Sequence, residues 1–165
     1  MKNLLYSFLI TFAFIATKQT YAQQNKLVWY TSLTEASTVS LKTGKPIFAF
    51  FTGSDWCGWC VKLNAAVFSK DAFIAWAEQH VVLLELDFPR RKQLSPELTK
   101  QNNDLQQAFN VQGFPTVWIF NPAKDPKTNT LTIAALGSLG YPPGAAAGEE
   151  AAKFLANANA ILGNK

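Results

Sequence analysis

Lys45-Pro46-Ile47-Phe48-Ala49-Phe50-Phe51-Thr52-Gly53-Ser54-Asp55-Trp56-Cys57-Gly58-Trp59-Cys60 passes from an apolar run, through turn chemistry, into two cysteines two residues apart. The run from Pro46 to Phe51 has the continuous hydrophobicity of a strand buried on both faces. Thr52 to Asp55 favours a turn leading to a helix start, and Val61, Leu63, Ala65, Ala66, Val67 and Phe68 suit a helix that reaches about Ser69. Cys57 then falls at a helix N-terminus. Cys60 lies one turn on, on the same face, with Cα atoms roughly 5 Å apart and within the span of a disulfide. Unpaired N–H groups and the positive end of the helix dipole favour thiolate over thiol at Cys57, which supplies the nucleophile of thiol–disulfide exchange. Cys60 is placed to resolve a mixed disulfide.

These are the chain's 2 cysteines, and three readings of them stand. A structural bridge across two residues removes little chain entropy, so stability is a weak reason for it. A zinc site wants four ligands, and with His80 the single histidine, carboxylates would have to complete it. A redox pair needs nothing further, and no metal or organic cofactor is expected.

The chain of 165 residues begins with a leader pattern: Lys2, an apolar core from Leu4 to Ala16, and Thr20-Tyr21-Ala22 as a small-x-Ala cleavage site. The core is shorter than the roughly 20 apolar residues of a membrane span, so an uncleaved anchor is the lesser alternative. Residues 1–22 are read as a signal peptide cleaved after Ala22, and residues 23–165 as a single exported domain, periplasmic or secreted. Lys2 and Lys18 fall in the leader, and the remaining charges nearly balance. No basic stripe with interleaved aromatics appears, which argues against nucleic acid as a partner.

Along the chain, Leu27 to Tyr30 reads as a short strand, and Ser32 or Thr34 caps a helix over about Glu35 to Thr43 that ends at Gly44. After the cysteine segment, Phe73 to Ala77 suggests a second helical piece and Val81 to Asp87 another buried strand. Pro89-Arg90-Arg91-Lys92 reads as a solvated connector. Ser95-Pro96-Glu97 opens a helix to about Phe109. Val117 to Phe120 and Thr130 to Leu136 form a hairpin joined through Asn121 to Asn129, and Glu149 to Leu162 closes the chain as a helix. Alternating strands and helices followed by a hairpin predict an α/β fold, with a mixed sheet parallel in its first half and helices on both faces.

With Trp56-Cys57-Gly58-Trp59-Cys60 and Val111-Gln112-Gly113-Phe114-Pro115-Thr116 in this order, the chain resembles the thioredoxin-like family over roughly residues 25 to 163. The resemblance implies the thioredoxin fold, with a cis Phe114–Pro115 bond beside the cysteines. It implies that Phe114 offers its backbone to an extended substrate, that Trp56 covers the active-site face, and that Gly140 leaves space for a docked chain. Gly58 and Trp59 complete the implied substrate-facing surface. Trp59 occupies a position that is proline in typical thioredoxins and histidine in protein disulfide isomerases; an indole cannot become cationic, which leans away from a strong oxidant.

The family's buried acid is missing, since Phe50 and Phe51 stand at the matching positions. Glu85, inside the next buried strand, is the candidate substitute, because a carboxylate in apolar surroundings has a raised pKa; the alternative is a strand-end charge that reaches out to solvent. Asp55 is expected to cap the cysteine helix, and His80 to be a surface residue. Phe48, Phe50, Phe51, Phe68, Phe73 and Trp76 are assigned to the core. The resulting expectation is an exported, monomeric thiol–disulfide oxidoreductase that reduces protein disulfides and is recharged by a membrane thiol-transfer donor. A thioredoxin-fold chaperone or adaptor using the Trp56, Trp59 and Phe114 surface is the alternative.

Overall fold

The structure, a computed structural model, describes residues 27–163. The leader and its cleavage site lie outside the described residues. Strand β1 spans Trp29–Tyr30 and helix α1 Leu33–Thr43. Ser32 Oγ accepts the Glu35 N–H at 3.4 Å to cap α1, and Gly44 ends it at φ 73°, a left-handed turn that glycine enters without a Cβ penalty. Strand β2 spans Ile47–Thr52, and helix α2 spans Gly58–Leu63.

The sequence reads one regular helix through this segment to Ser69. The structure instead widens residues Asn64–Phe68 into a π-helical turn, closed by the Ser69 N–H on the Asn64 carbonyl at 2.9 Å. Val67 and Phe68 in this turn, and Leu63 just before it, are buried.

Helix α3 spans Asp71–His80 and strand β3 Val82–Asp87. Helix α4 spans Pro96–Ala108, with Ser95 as its cap and proline at its first position. Strands β4 (Thr116–Lys124) and β5 (Leu131–Leu139) form the hairpin, and α5 spans Glu150–Leu162. Both hairpin strands run several residues further than the sequence reading put them, because pairing continues from Val117–Leu139 to Lys124–Leu131 despite Pro122. The turn proper narrows to residues 125–130, where Asp125 Oδ1 accepts the Lys127 and Thr128 N–H groups.

The sheet order is β1-β3-β2-β4-β5, with β1, β3 and β2 parallel and the hairpin antiparallel. This is the mixed sheet that the element order predicts. Period-two alternation divides β2 between two cores. Phe48 and Phe50 join α2, α3 and α5 on one face, whereas Ile47, Ala49 and Phe51 pack under α1 and α4 on the other. The six aromatics assigned to the core are all buried. Trp76 Nε1 donates to Asn159 Oδ1 at 2.7 Å and ties α3 to α5. Both cysteines belong to the first core, so the cysteine segment is a corner of the packed interior.

Candidate active site

Strand β2 delivers the chain to a turn in which the Gly53 carbonyl accepts the Cys57 N–H at 2.8 Å, and α2 starts one residue later. Cys57 itself is the N-cap. Its Sγ accepts the Cys60 N–H at 3.2 Å, a donor that favours negative charge on this sulfur. The two residues are joined by a disulfide with Cα atoms 5.3 Å apart. Cys57 is 6% exposed and Cys60 3%, so both residues are buried and the first slightly less so. Gly58 is the first residue of α2 with open space around it, and nothing in the packing requires a glycine there.

Asp55 does not cap α2, contrary to expectation, because Cys57 holds that position. The Asp55 carboxylate accepts instead from the N–H groups of Arg90, at 3.0 and 3.2 Å, and of Arg91, at 2.7 Å. The Arg90 N–H leads in holding this carboxyl below the usual range. One residue before, Ser54 donates its N–H and Oγ to the two oxygens of Asp87, which also pairs with Lys92 Nζ at 2.8 Å. Burial pushes the Asp87 carboxyl up, but these donors outweigh it and hold it below its ordinary value. The Pro89–Lys92 segment, read from sequence as a free connector, is therefore pinned to the turn that carries Cys57.

Trp56 completes the clamp. Its Nε1 donates to the Phe88 carbonyl at 2.8 Å, its ring centroid lies 3.8 Å from the Arg90 guanidinium carbon, and Phe114 packs on it at 5.9 Å. The indole lies across Gly53, where an added Cβ would fall 2.4–2.7 Å from three ring atoms. Sequence reasoning assigned Gly53 to turn chemistry alone. Gly53→Ala should displace the indole, and we expect a blue- or red-shifted Trp56 fluorescence and a stability loss of about 1–3 kcal/mol; an unchanged spectrum and melting curve would contradict this account.

On the other side of the cysteines, Trp59 is 57% exposed and meets Tyr141 edge-on at 5.1 Å, with Lys62 Nζ 4.9 Å from both ring centroids. These residues and the Pro142–Ala147 segment line an open groove of about 550 Å³. The Phe114–Pro115 bond is cis, and the Thr116 hydroxyl closes its turn on the Gly113 carbonyl at 2.7 Å. Phe114 packs against the core that contains the cysteines. Gly140 sits beside this turn, since a Cβ there would lie 3.7 Å from the Pro115 carbonyl oxygen. The cysteines are thus flanked by Trp56, which meets Phe114, and by Trp59, which meets Tyr141, while Gly140 adjoins Pro115.

Glu85 stands apart from it. The residue pairs with Phe50 in register and shares the sheet face of the first core, yet the small cavity it lines contains Thr31, Asp87, Lys92, Leu94, Leu98 and Asn102 and neither cysteine. Burial, then the Asp87 charge, raises its carboxyl above the ordinary range. Phe50 lies on the cysteine side of the sheet and Phe51 on the opposite side. His80 ends α3 and packs on the Trp76 ring at 5.7 Å. Among the described residues, no cluster of three or more His, Cys, Asp or Glu could hold a metal ion.

The Thioredoxin-like domain family matches residues 33–127, from α1 into the hairpin turn. The chain belongs to the thioredoxin-like family. It is 34% identical over 116 residues to the disulfide bond reductase DsbH of Chlamydia pneumoniae, an overlap covering 70% of this chain and 64% of that protein. It is 24% identical over 125 residues to the thioredoxin-related protein DsbJ of the same organism, covering 76% of this chain and 34% of that protein. The chain thus spans less than two thirds of the length of either relative. Among solved structures, the DsbH oxidoreductase matches with a TM-score of 0.71 at 28% identity, over 90% of this chain and 94% of that one. A thioredoxin from Thermus thermophilus matches with a TM-score of 0.56 at 19% identity, over 82% and 87% of the two chains, and shares the fold.

Proposed function

We propose that this chain is an exported thiol–disulfide oxidoreductase that reduces disulfides in protein substrates. The observation that carries this reading is the Cys57–Cys60 pair itself, with Cys57 capping α2, its sulfur facing the Cys60 N–H, and the cis Phe114–Pro115 turn brought alongside by the Trp56–Phe114 contact. In the cycle, the Cys57 thiolate attacks one substrate sulfur and the substrate S–S bond breaks. One substrate thiolate leaves while Cys57 becomes linked to the other sulfur. Cys60 loses its proton and attacks the Cys57 sulfur, which releases the second substrate thiolate and leaves the Cys57–Cys60 disulfide. Two electrons and two protons from a membrane thiol-transfer protein restore the dithiol.

The reductive direction is supported by the indole at Trp59, where no cation can form, and by the likeness to DsbH, itself a disulfide bond reductase. Export after Ala22 is supported by the leader pattern. Among the described residues, no helix is long and apolar enough to cross a membrane. Substrate contact is assigned to Trp56, Gly58, Trp59, Phe114, Pro115 and Gly140.

The deciding measurement is the reduction potential of the pair, obtained by equilibrating residues 23–165 in graded thiol buffers and trapping free thiols. A value near about −270 mV, the thioredoxin end, is expected. A value near about −120 mV would make the protein a disulfide donor, and a pair that does not titrate reversibly would favour an adaptor that binds extended chains.

Glu85 is proposed as the base whose carboxylate takes the Cys60 proton, supported by its sheet face and raised pKa. Glu85→Gln should slow exchange at neutral pH; unchanged kinetics remove it from the mechanism. The same variant tests the electrostatics. A carboxyl whose folded pKa is raised binds its proton more tightly in the native than in the unfolded state. Stability therefore falls as pH rises from the ordinary glutamate value through the raised one. Glu85→Gln lacks this loss, so its melting temperature should fall less than that of the unsubstituted chain as pH rises across that window.

A further inference from the structure

The strongest unexplained feature beside the cysteines is a guanidinium that is held in place but has no anion. The Arg90 backbone is fixed by the Asp55 carboxylate, and its side chain lies over the Trp56 ring at 3.8 Å. Because Asp55 directs its oxygens to two backbone N–H groups, it makes no ion pair with either neighbouring arginine. Among the described residues, the ion pairs within 4.0 Å are Lys92–Asp87 and Lys100–Asp104. Arg90 and Arg91 are both exposed and unpaired. A guanidinium stacked on an indole keeps its in-plane N–H donors free, and their fork matches a carboxylate bidentately.

The place of this cation matters as much as its freedom. Trp56 immediately precedes Cys57, and the same indole packs against Phe114 of the cis-proline turn. Arg90 thus borders the indole that stands between Cys57 in the chain and Phe114 of the turn. Of the charges around it, Asp55 offsets one arginine, Lys92 is occupied by Asp87, and Glu85 sits behind that pair. Lys62, across the cysteines, has Glu150 on its far side through Tyr141. What is left on the Trp56 side is the Arg90 fork with no carboxylate within ion-pair distance.

We infer that Arg90 is a specificity-determining residue that receives a carboxylate of the substrate, so that the protein disulfides reduced by this chain carry aspartate or glutamate beside the attacked cysteine. The inference rests on the oxidoreductase reading and deepens it. Its test uses three cysteine peptides, alike except for Glu, Gln or Lys flanking the cysteine, each joined by a disulfide to the same chromogenic thiol. The reduced protein should turn over the Glu peptide with a kcat/KM about tenfold above the Lys peptide at low ionic strength. That ratio should shrink severalfold in about 0.5 M salt, where the screening length drops to a few ångströms.

Arg90→Gln should bring the Glu/Lys ratio close to one, and Arg90→Glu should invert it. Equal rates for the Glu and Lys peptides with the unsubstituted protein overturn the inference while leaving the oxidoreductase reading intact, and so does a preference that survives both substitutions. Failure to reduce any of the three peptides overturns both together.

Discussion

Cys57→Ser is expected to lower reduction of a protein disulfide by at least about a thousandfold, because it removes the attacking thiolate. Serine keeps the cap geometry, since its Oγ can accept the Cys60 N–H that Cys57 Sγ now takes. The fold should therefore survive, and loss of rate with an intact melting transition isolates the chemistry. Cys60→Ser is expected to fail differently. Cys57 still attacks, but nothing resolves the product, so a covalent complex with substrate accumulates and can be seen on a non-reducing gel. Comparable residual activity in the two variants, or no trapped complex with the second, would exclude the assigned order of attack. A double Cys57→Ser, Cys60→Ser variant that keeps full biological function would support the adaptor reading.

Phe48→Ala is expected to give the largest stability loss of any single substitution considered, about 3–5 kcal/mol. Phe48 is fully buried, and its ring lies within 6.2 Å, centroid to centroid, of Trp29, Phe68, Phe73, Trp76 and Phe154. These rings come from β1, the π-helical turn, α3 and α5, so they cannot all close on the space left by a methyl group. Tilted and edge-to-face pairs of this kind also add to simple burial. Urea unfolding should show a lower midpoint with a similar slope. A loss below about 1 kcal/mol would mean that this cluster collapses around the truncation and is not rigidly packed. Because Cys57 and Cys60 belong to the same cluster, the variant should also exchange disulfides less efficiently near its lowered melting temperature.

The order of the elements was legible because the local signals agree with the tertiary result. Ser32, Gly44, Ser95 and Pro96 occupy the cap and first-turn positions their chemistry favours, and the apolar runs at residues 47–51 and 82–86 became buried strands. The hairpin was harder. Pro122 and Asn121 look like turn residues, yet they sit within β4 and pair with Ile133 and Ala134 of β5, beyond a register shift at Ile119/Phe120. The π-helical turn at residues 64–68 left no mark in the sequence, because it answers to the packing of Leu63, Val67 and Phe68 on the sheet. Asp55 was misread for a related reason: its partners, the Arg90 and Arg91 N–H groups, lie 35 and 36 residues away.

Local sequence was enough to place the bridged cysteine pair and the mixed α/β sheet and, through the family resemblance, the cis-proline turn. Each depends on spacing within a short segment or on the alternation of apolar runs along the chain. What surrounds the redox pair was set by long-range packing. Trp56 finds Phe88 and Arg90, Trp59 finds Tyr141, and Gly140 finds Pro115 through contacts between segments whose separation no local periodicity encodes. Gly53 shows the division within one residue. Its turn propensity is local, but the need for a missing Cβ arises from an indole folded back across it and held by hydrogen bonding to a distant loop.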